Sequence, residues 1–241
     1  MRGREAVNNH LPALTRTLPM SRWIDLNTPH GPVRAWRADP PGPSRGGVVV
    51  LQEIFGVNPH IRSVADRLAA AGFVALAPSL FDPVEPGIEL GYGEAEAQRG
   101  VELRNRVGFD RAVDVVEAAA NELQAEGLRT GVVGFCWGGS VSFLANTRLG
   151  LPAVSYYGAR SVPFLDEAAR APLMFHFGAR DKSIPPGDIE LHRAKQPAAK
   201  VFVYEDADHA FNRDVDNSHH HAASATLAWQ RTLDFLAESL R

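Results

Sequence analysis

Short runs of apolar and β-branched residues recur along this chain, each separated from the next by a segment with helical periodicity. That alternation narrows the fold more than any other feature, because strands buried on both faces belong in a mainly parallel sheet with helices on each side. Six runs stand out: Val48 to Leu51, Val74 to Ala77, Gly131 to Phe135, Ala153 to Tyr157, Leu173 to Phe177 and Val201 to Tyr204. Two earlier segments, Trp23 to Leu26 and Val33 to Arg37, flank His30-Gly31-Pro32 and predict a hairpin at the sheet edge. The expectation is an α/β fold with a mostly parallel central sheet of about eight strands and helices on both faces.

Ile61, Val64, Ala65, Leu68 and Ala69 fall on one helical stripe that Gly72 stops. A long helix is predicted over roughly Ala97 to Ala125, and Trp229, Leu233, Leu236 and Leu240 space out a final one. The stretch from Phe81 to Gly93 is the longest irregular connection, of the kind that lies over strand ends where ligands bind. No repeat or linker divides the chain, so residues 20–241 are expected to form one domain. Residues 1–19 carry scattered Arg, Asn and Pro ahead of a second methionine, Met20, and are expected to be a flexible extension.

A formal charge of −3 lacks the basic footprint that nucleic acid or anionic membrane binding leaves, which favours small-molecule chemistry. Cys136 is the only cysteine, so no intramolecular disulfide can form, and a reducing, cytoplasmic location is expected. No apolar run approaches the roughly 18 residues needed to cross a bilayer. The chain is expected to act as a monomer or small homo-oligomer.

Gly134-Phe135-Cys136-Trp137-Gly138-Gly139 stands directly after a predicted strand and before a helix beginning near Gly138. This is the pattern of a nucleophile elbow with Cys in place of Ser. Its turn holds the central residue in a strained backbone conformation, flanking glycines avoid collisions, and free N–H groups of the helix stabilise negative charge on sulfur. The plainer reading is a small buried apolar Cys beside a glycine turn. An elbow nucleophile needs an acid and then a histidine on loops after later strands. Asp181 follows the strand ending at Phe177, and His209 follows the strand ending at Tyr204, in that order. Separately, Asp181 could be a turn or cap residue and His209 a solvated loop histidine; together they fit the triad.

Four motifs carry a resemblance: Gln52-Glu53-Ile54-Phe55-Gly56, the elbow itself, Gly178 through Asp181, and Asp208-His209-Ala210-Phe211. From about Trp23 onward the chain resembles the dienelactone hydrolase (carboxymethylenebutenolidase) family of the α/β-hydrolase superfamily. The resemblance implies a Cys136, Asp181, His209 triad and a small ester or lactone substrate. It also implies that Glu53, held near the nucleophile at rest, helps deprotonate the thiol; the alternative is a pairing of Glu53 with Arg62. The backbone N–H groups of Ile54 and Trp137 are expected to form the oxyanion hole. Family substrates carry a carboxylate, and the resemblance assigns Arg213 to it, with Phe55 and Trp137 lining the substrate site. The alternative for Arg213 is a salt bridge with Asp214 or Asp216. The family's second arginine falls near Pro83, where this chain departs from the pattern.

Acyl transfer through a thiolate calls for no metal or organic cofactor. His219-His220-His221 with Asp206 and Asp208 is expected to be a solvated helix start rather than a metal site, since consecutive helical side chains diverge. His176, inside an apolar strand, is expected to be a satisfied core histidine. Two other functions fit the same residues: a general short-chain carboxylesterase or thioesterase, and a hydrolase-fold protein that binds a ligand without turnover.

Overall fold

The structure, a computed structural model, describes residues 19–215 and 218–241. Apart from Pro19, the expected extension lies outside the described residues, as does Asp216. Eight strands form one sheet: β1 (Met20–Thr28), β2 (Gly31–Asp39), β3 (Gly47–Leu51), β4 (Val74–Pro78), β5 (Thr130–Phe135), β6 (Ala153–Tyr156), β7 (Leu173–Gly178) and β8 (Lys200–Tyr204). They run in the order β1-β2-β4-β3-β5-β6-β7-β8. β1 and β2 form the expected edge hairpin and β2 joins β4 antiparallel, while every pairing from β4 to β8 is parallel.

The fully buried strands are those inside the sheet: β3 to β7 bury every residue. At roughly 1.5–3 kcal/mol for each fully buried Val, Leu or Phe, these strands supply much of the hydrophobic stabilisation. The edge hairpin alternates in burial, which is why its sequence signal was the weaker one.

Five α-helices cover the sheet: α1 (Pro59–Ala70), α2 (Glu94–Ala125), α3 (Trp137–Leu144), α4 (Pro186–Lys195) and α5 (Ala222–Ser239). The strand alternation of β7 sorts them. Phe175 packs on Phe143 of α3 and His192 of α4, whereas His176 points the other way and meets Thr232 of α5. All five residues of the predicted α1 stripe are buried, and the C-terminal stripe buries Leu236 and Leu240.

Three boundaries differ from the sequence reading. β6 stops at Tyr156, because Tyr157 adopts a positive φ of 40°. α2 starts at Glu94 and is broken at Gly108, whose φ of 72° and ψ of 179° are not helical. α3 begins at Trp137, leaving Cys136 as its N-cap residue. Farther along, His221 caps α5, its Nδ1 accepting from the Ser224 N–H at 3.4 Å, so the histidine run does mark a helix start. Among the described residues, no helix is long and apolar enough to cross a membrane.

His176 is fully buried, with Nδ1 2.9 Å from the Tyr204 hydroxyl and Nε2 3.2 Å from Thr232 Oγ1. Burial, assisted by the charge of Arg231, pushes its pKa down from 6.5 to about 3. Below pH 6.5 the unfolded chain therefore takes up a proton that the folded chain refuses, and stability falls as pH falls toward 3. His176→Gln removes that proton-linked loss. Urea unfolding at pH 6 and pH 4 should show wild type losing about 1.4 kcal/mol per pH unit more than the variant. Equal pH slopes would contradict a neutral, buried His176.

Candidate active site

The elbow forms where β5 runs into α3. Cys136 has φ 53° and ψ −115°, a conformation that costs an L-residue free energy and persists only where its surroundings hold it. Its N–H donates to the Tyr156 carbonyl at 3.0 Å, and its own carbonyl accepts from Gly139 and Ser140. Both sides of the turn are crowded. A Cβ on Gly134 would lie 1.9 Å from the Gly138 carbonyl oxygen, and one on Gly138 would lie 2.4 Å from that of Gln52.

Across the elbow, the Gly138 N–H donates to the Gln52 carbonyl at 3.1 Å, tying the start of α3 to the loop after β3. Gln52 is in turn fixed by accepting the Leu80 N–H on Oε1 at 3.0 Å. This bond holds Ile54 and Trp137 on one cleft, and neither N–H donates to any turn or loop carbonyl among the described residues. Two such donors beside one nucleophile are what a developing oxyanion requires.

The histidine and the acid arrive as neighbouring strand-end loops. Arg180 N–H donates to the Ala207 carbonyl, joining the loop after β7 to the loop after β8. His209 Nδ1 lies 2.7 Å from Asp181 Oδ2, while Asp181 Oδ1 accepts the Ser183 N–H at 2.8 Å. Asp181 is therefore both the turn residue and the partner of the imidazole, and its side chain is fully buried. Burial alone would lower the His209 pKa. The negative charge of Cys136, a hydrogen bond to Asp181 and one to Cys136 outweigh it, holding the imidazole well above its usual range.

The cleft encloses about 470 Å³, and its walls include Ile54, Cys136, Trp137 and His209 as expected, together with Arg104 and Arg160. Glu53, Phe55 and Arg213 are not among its lining residues. They form a packed layer, Glu53 being 2% and Arg213 6% exposed. Arg213 Nη1 donates to Glu53 Oε2 at 3.2 Å, and its guanidinium lies 4.2 Å from the Tyr92 ring centre and 5.6 Å from that of Phe55. A carboxylate left unpaired at that depth would be costly, which accounts for this partner rather than Arg62. Arg62 binds Glu89 and the Val57 carbonyl, and Asp214 pairs with His60 at 3.1 Å. Glu53 Oε1 has no hydrogen-bond partner among the described residues.

Sequence reasoning missed three residues here. Tyr157 packs its ring 5.1 Å from that of His209, and burial, reinforced by the charge of Glu53, raises its phenol well above the usual range. Its only trace was its place at a strand end. Arg160, four residues beyond β6, had the same trace, and Arg104 was one charge among many on a long helix. The segment around Pro83 is held by Asp82, which accepts the Arg34 and Gly87 N–H groups, and by Phe81 stacked on Trp137 at 5.8 Å.

Comparison with known proteins shows the family and the fold. The model of the family described as "Dienelactone hydrolase family" matches residues 33–240. A "Putative carboxymethylenebutenolidase" of Synechocystis sp. is 33% identical over 216 residues, covering 80% of this chain and 86% of that protein. The carboxymethylenebutenolidase of Pseudomonas putida is 32% identical over 200 residues, covering 79% and 84%. The crystal structure of a "Putative Dienelactone Hydrolase" from Klebsiella pneumoniae superposes with a TM-score of 0.80 at 29% identity, covering 92% of this chain and 100% of that one. With an eight-stranded α/β-hydrolase sheet and a family match over most of its length, the chain belongs to the dienelactone hydrolase family.

Proposed function

We propose that this hydrolase cleaves a small ester or lactone by acyl transfer, with Cys136 as nucleophile, His209 as proton carrier and Asp181 as its orienting partner. The observation that carries the reading is the 2.7 Å contact between His209 and Asp181, on an imidazole that shares a cleft with a cysteine at a strained elbow.

As substrate binds, the Cys136 proton passes to Glu53, which leaves a thiolate beside the imidazolium of His209, whose basicity is raised. Sulfur attacks the carbonyl carbon, and the electron pair displaced onto oxygen is held by the Ile54 and Trp137 N–H groups. Collapse of that oxyanion breaks the C–O bond, the leaving oxygen takes the proton from His209, and a thioester remains. His209, now neutral, draws a proton from water as water attacks the thioester. The acid departs, and thiolate and imidazolium are restored. Asp181, accepting the Nδ1 proton, keeps Nε2 aimed at sulfur and water throughout. In a lactone the leaving oxygen stays tethered to the product.

Glu53 is assigned the second carboxylate role, a proton acceptor for the thiol when a substrate disturbs its pairing with Arg213. Its buried, unbonded Oε1 and its place beside Ile54 support that role.

Cys136→Ala should abolish hydrolysis of an activated aryl ester, by about a thousandfold or more, with wild-type circular dichroism. Turnover at the wild-type rate would remove Cys136 from the mechanism and leave a non-thiol esterase or a binding protein. Glu53→Gln keeps the shape and a hydrogen bond to Arg213 but removes the acceptor. The rate of Cys136 alkylation against pH should shift relative to wild type, and turnover should fall about tenfold. Superimposable profiles and unchanged turnover would confine Glu53 to packing.

A further inference from the structure

Beside the cleft that holds Cys136 lies a second cavity of about 230 Å³, and Arg104, Arg160 and Trp137 line both. The two arginines come from unrelated elements. Arg104 sits on α2 one turn before the break at Gly108, and Arg160 on the loop after β6. Their backbones are fixed relative to the nucleophile. The Arg160 N–H donates to Ser140 Oγ, in the first turn of α3, at 2.9 Å, while Gly100, one turn before Arg104 on α2, packs against the Ile54 carbonyl.

Neither guanidinium forms an ion pair with any carboxylate among the described residues. Arg104 donates through Nε and Nη2 to the side-chain oxygen of its neighbour Asn105, a neutral acceptor that leaves its charge uncompensated. Arg148 and Arg106, by contrast, each carry an acidic partner. Two like charges on one cavity wall repel, and both burial and the charge of Arg160 lower the basicity of Arg104. Arg104 also lines the cleft that holds the reacting sulfur. An arrangement of this kind is relieved by an anion between the two forks, and planar guanidinium groups match a carboxylate in geometry as well as charge. Arg213, with its charge answered by buried Glu53, is the weaker candidate for that task.

We propose that Arg104 and Arg160 form the subsite that receives a carboxylate of the substrate, carried away from the scissile carbonyl toward the second cavity. The assignment rests on the thiol-hydrolase reading above. It makes the preferred substrate an ester or lactone with an anionic tail on the side of α2.

Two ratios test it in wild type, Arg104→Gln, Arg160→Gln and the double variant. The first is the kcat/KM for 4-nitrophenyl hemiglutarate over that for neutral 4-nitrophenyl valerate. The second is the rate of Cys136 alkylation by iodoacetate over that by iodoacetamide, which needs no turnover. Each single variant should lower both ratios by about tenfold, and the double variant by more. Ratios within about twofold of wild type would overturn the proposal, and so would a full loss in Arg213→Gln alone, which would put the anion at Arg213. If both alkylation rates fall together, the arginines merely stabilise the thiolate and the subsite is lost. An alkylation ratio that falls in the variants, with wild type hydrolysing neither ester, would sustain the subsite and sink the hydrolase reading.

Discussion

The site depends on one close approach of backbone to backbone, where the start of α3 meets the loop after β3. The bond from Gly138 N–H to the Gln52 carbonyl is short enough that no side chain fits between them. It does two jobs at once. It helps hold Cys136 at its positive φ, and it keeps Trp137 and Ile54 on one cleft, so that strain at the proposed nucleophile and spacing of the proposed oxyanion donors share one support. α2 presses on the same loop from the other side: a Cβ on Gly100 would lie 2.0 Å from the Ile54 carbonyl oxygen. The geometry of the elbow is therefore built from main-chain contacts, which the glycines at these approaches permit.

Charges buried around that support come in matched sets. Asp181 and His209 answer each other and Cys136, while Glu53 and Arg213 answer each other one layer deeper. Buried ions are tolerable only when paired, so each carboxylate constrains where its partner stands. Asp181 shows how tightly this is done, since one oxygen caps the turn at Ser183 and the other orients the imidazole. With both oxygens engaged, the ring has one favoured orientation, and its Nε2 is left to the thiol and to water.

The sheet was legible because strands buried on both faces write continuous apolar runs, as Gly131 to Phe135 and Leu173 to Phe177 do. The convergence of Cys136, Asp181 and His209 was legible for a related reason: each stands directly after such a run, in the chain order that the proposed triad requires. What stayed hidden was everything set by side-chain direction at a distance. Arg213 is near His209 in sequence, yet its guanidinium turns into the packed layer to meet Glu53, 160 residues away. Arg104 is remote from every motif but lines the cleft from α2, one turn before the break at Gly108, a mid-helix glycine whose meaning depends on what the two halves pack against. Tyr157 continues an apolar strand in sequence and leaves it in space through one positive φ.

That division has a consequence for how such a protein changes. The elbow, the loop that carries Ile54 and the Asp181–His209 pair are tied to strand ends, so altering them disturbs the core of the sheet. Arg160 is exposed on a loop and Arg104 half-buried on the outer half of a broken helix, where substitution removes little packing. Residues that are inexpensive to replace yet line the reacting cleft are where substrate preference can vary without loss of fold. The anchoring of α2 by Gly100 keeps such variation from reaching the oxyanion donors, because the helix wall can exchange its charges while its backbone stays against Ile54. The proposed chemistry and selectivity thus rest on different parts of one cleft, the first on main-chain contacts at the strand ends and the second on side chains of the helix and loop that line it.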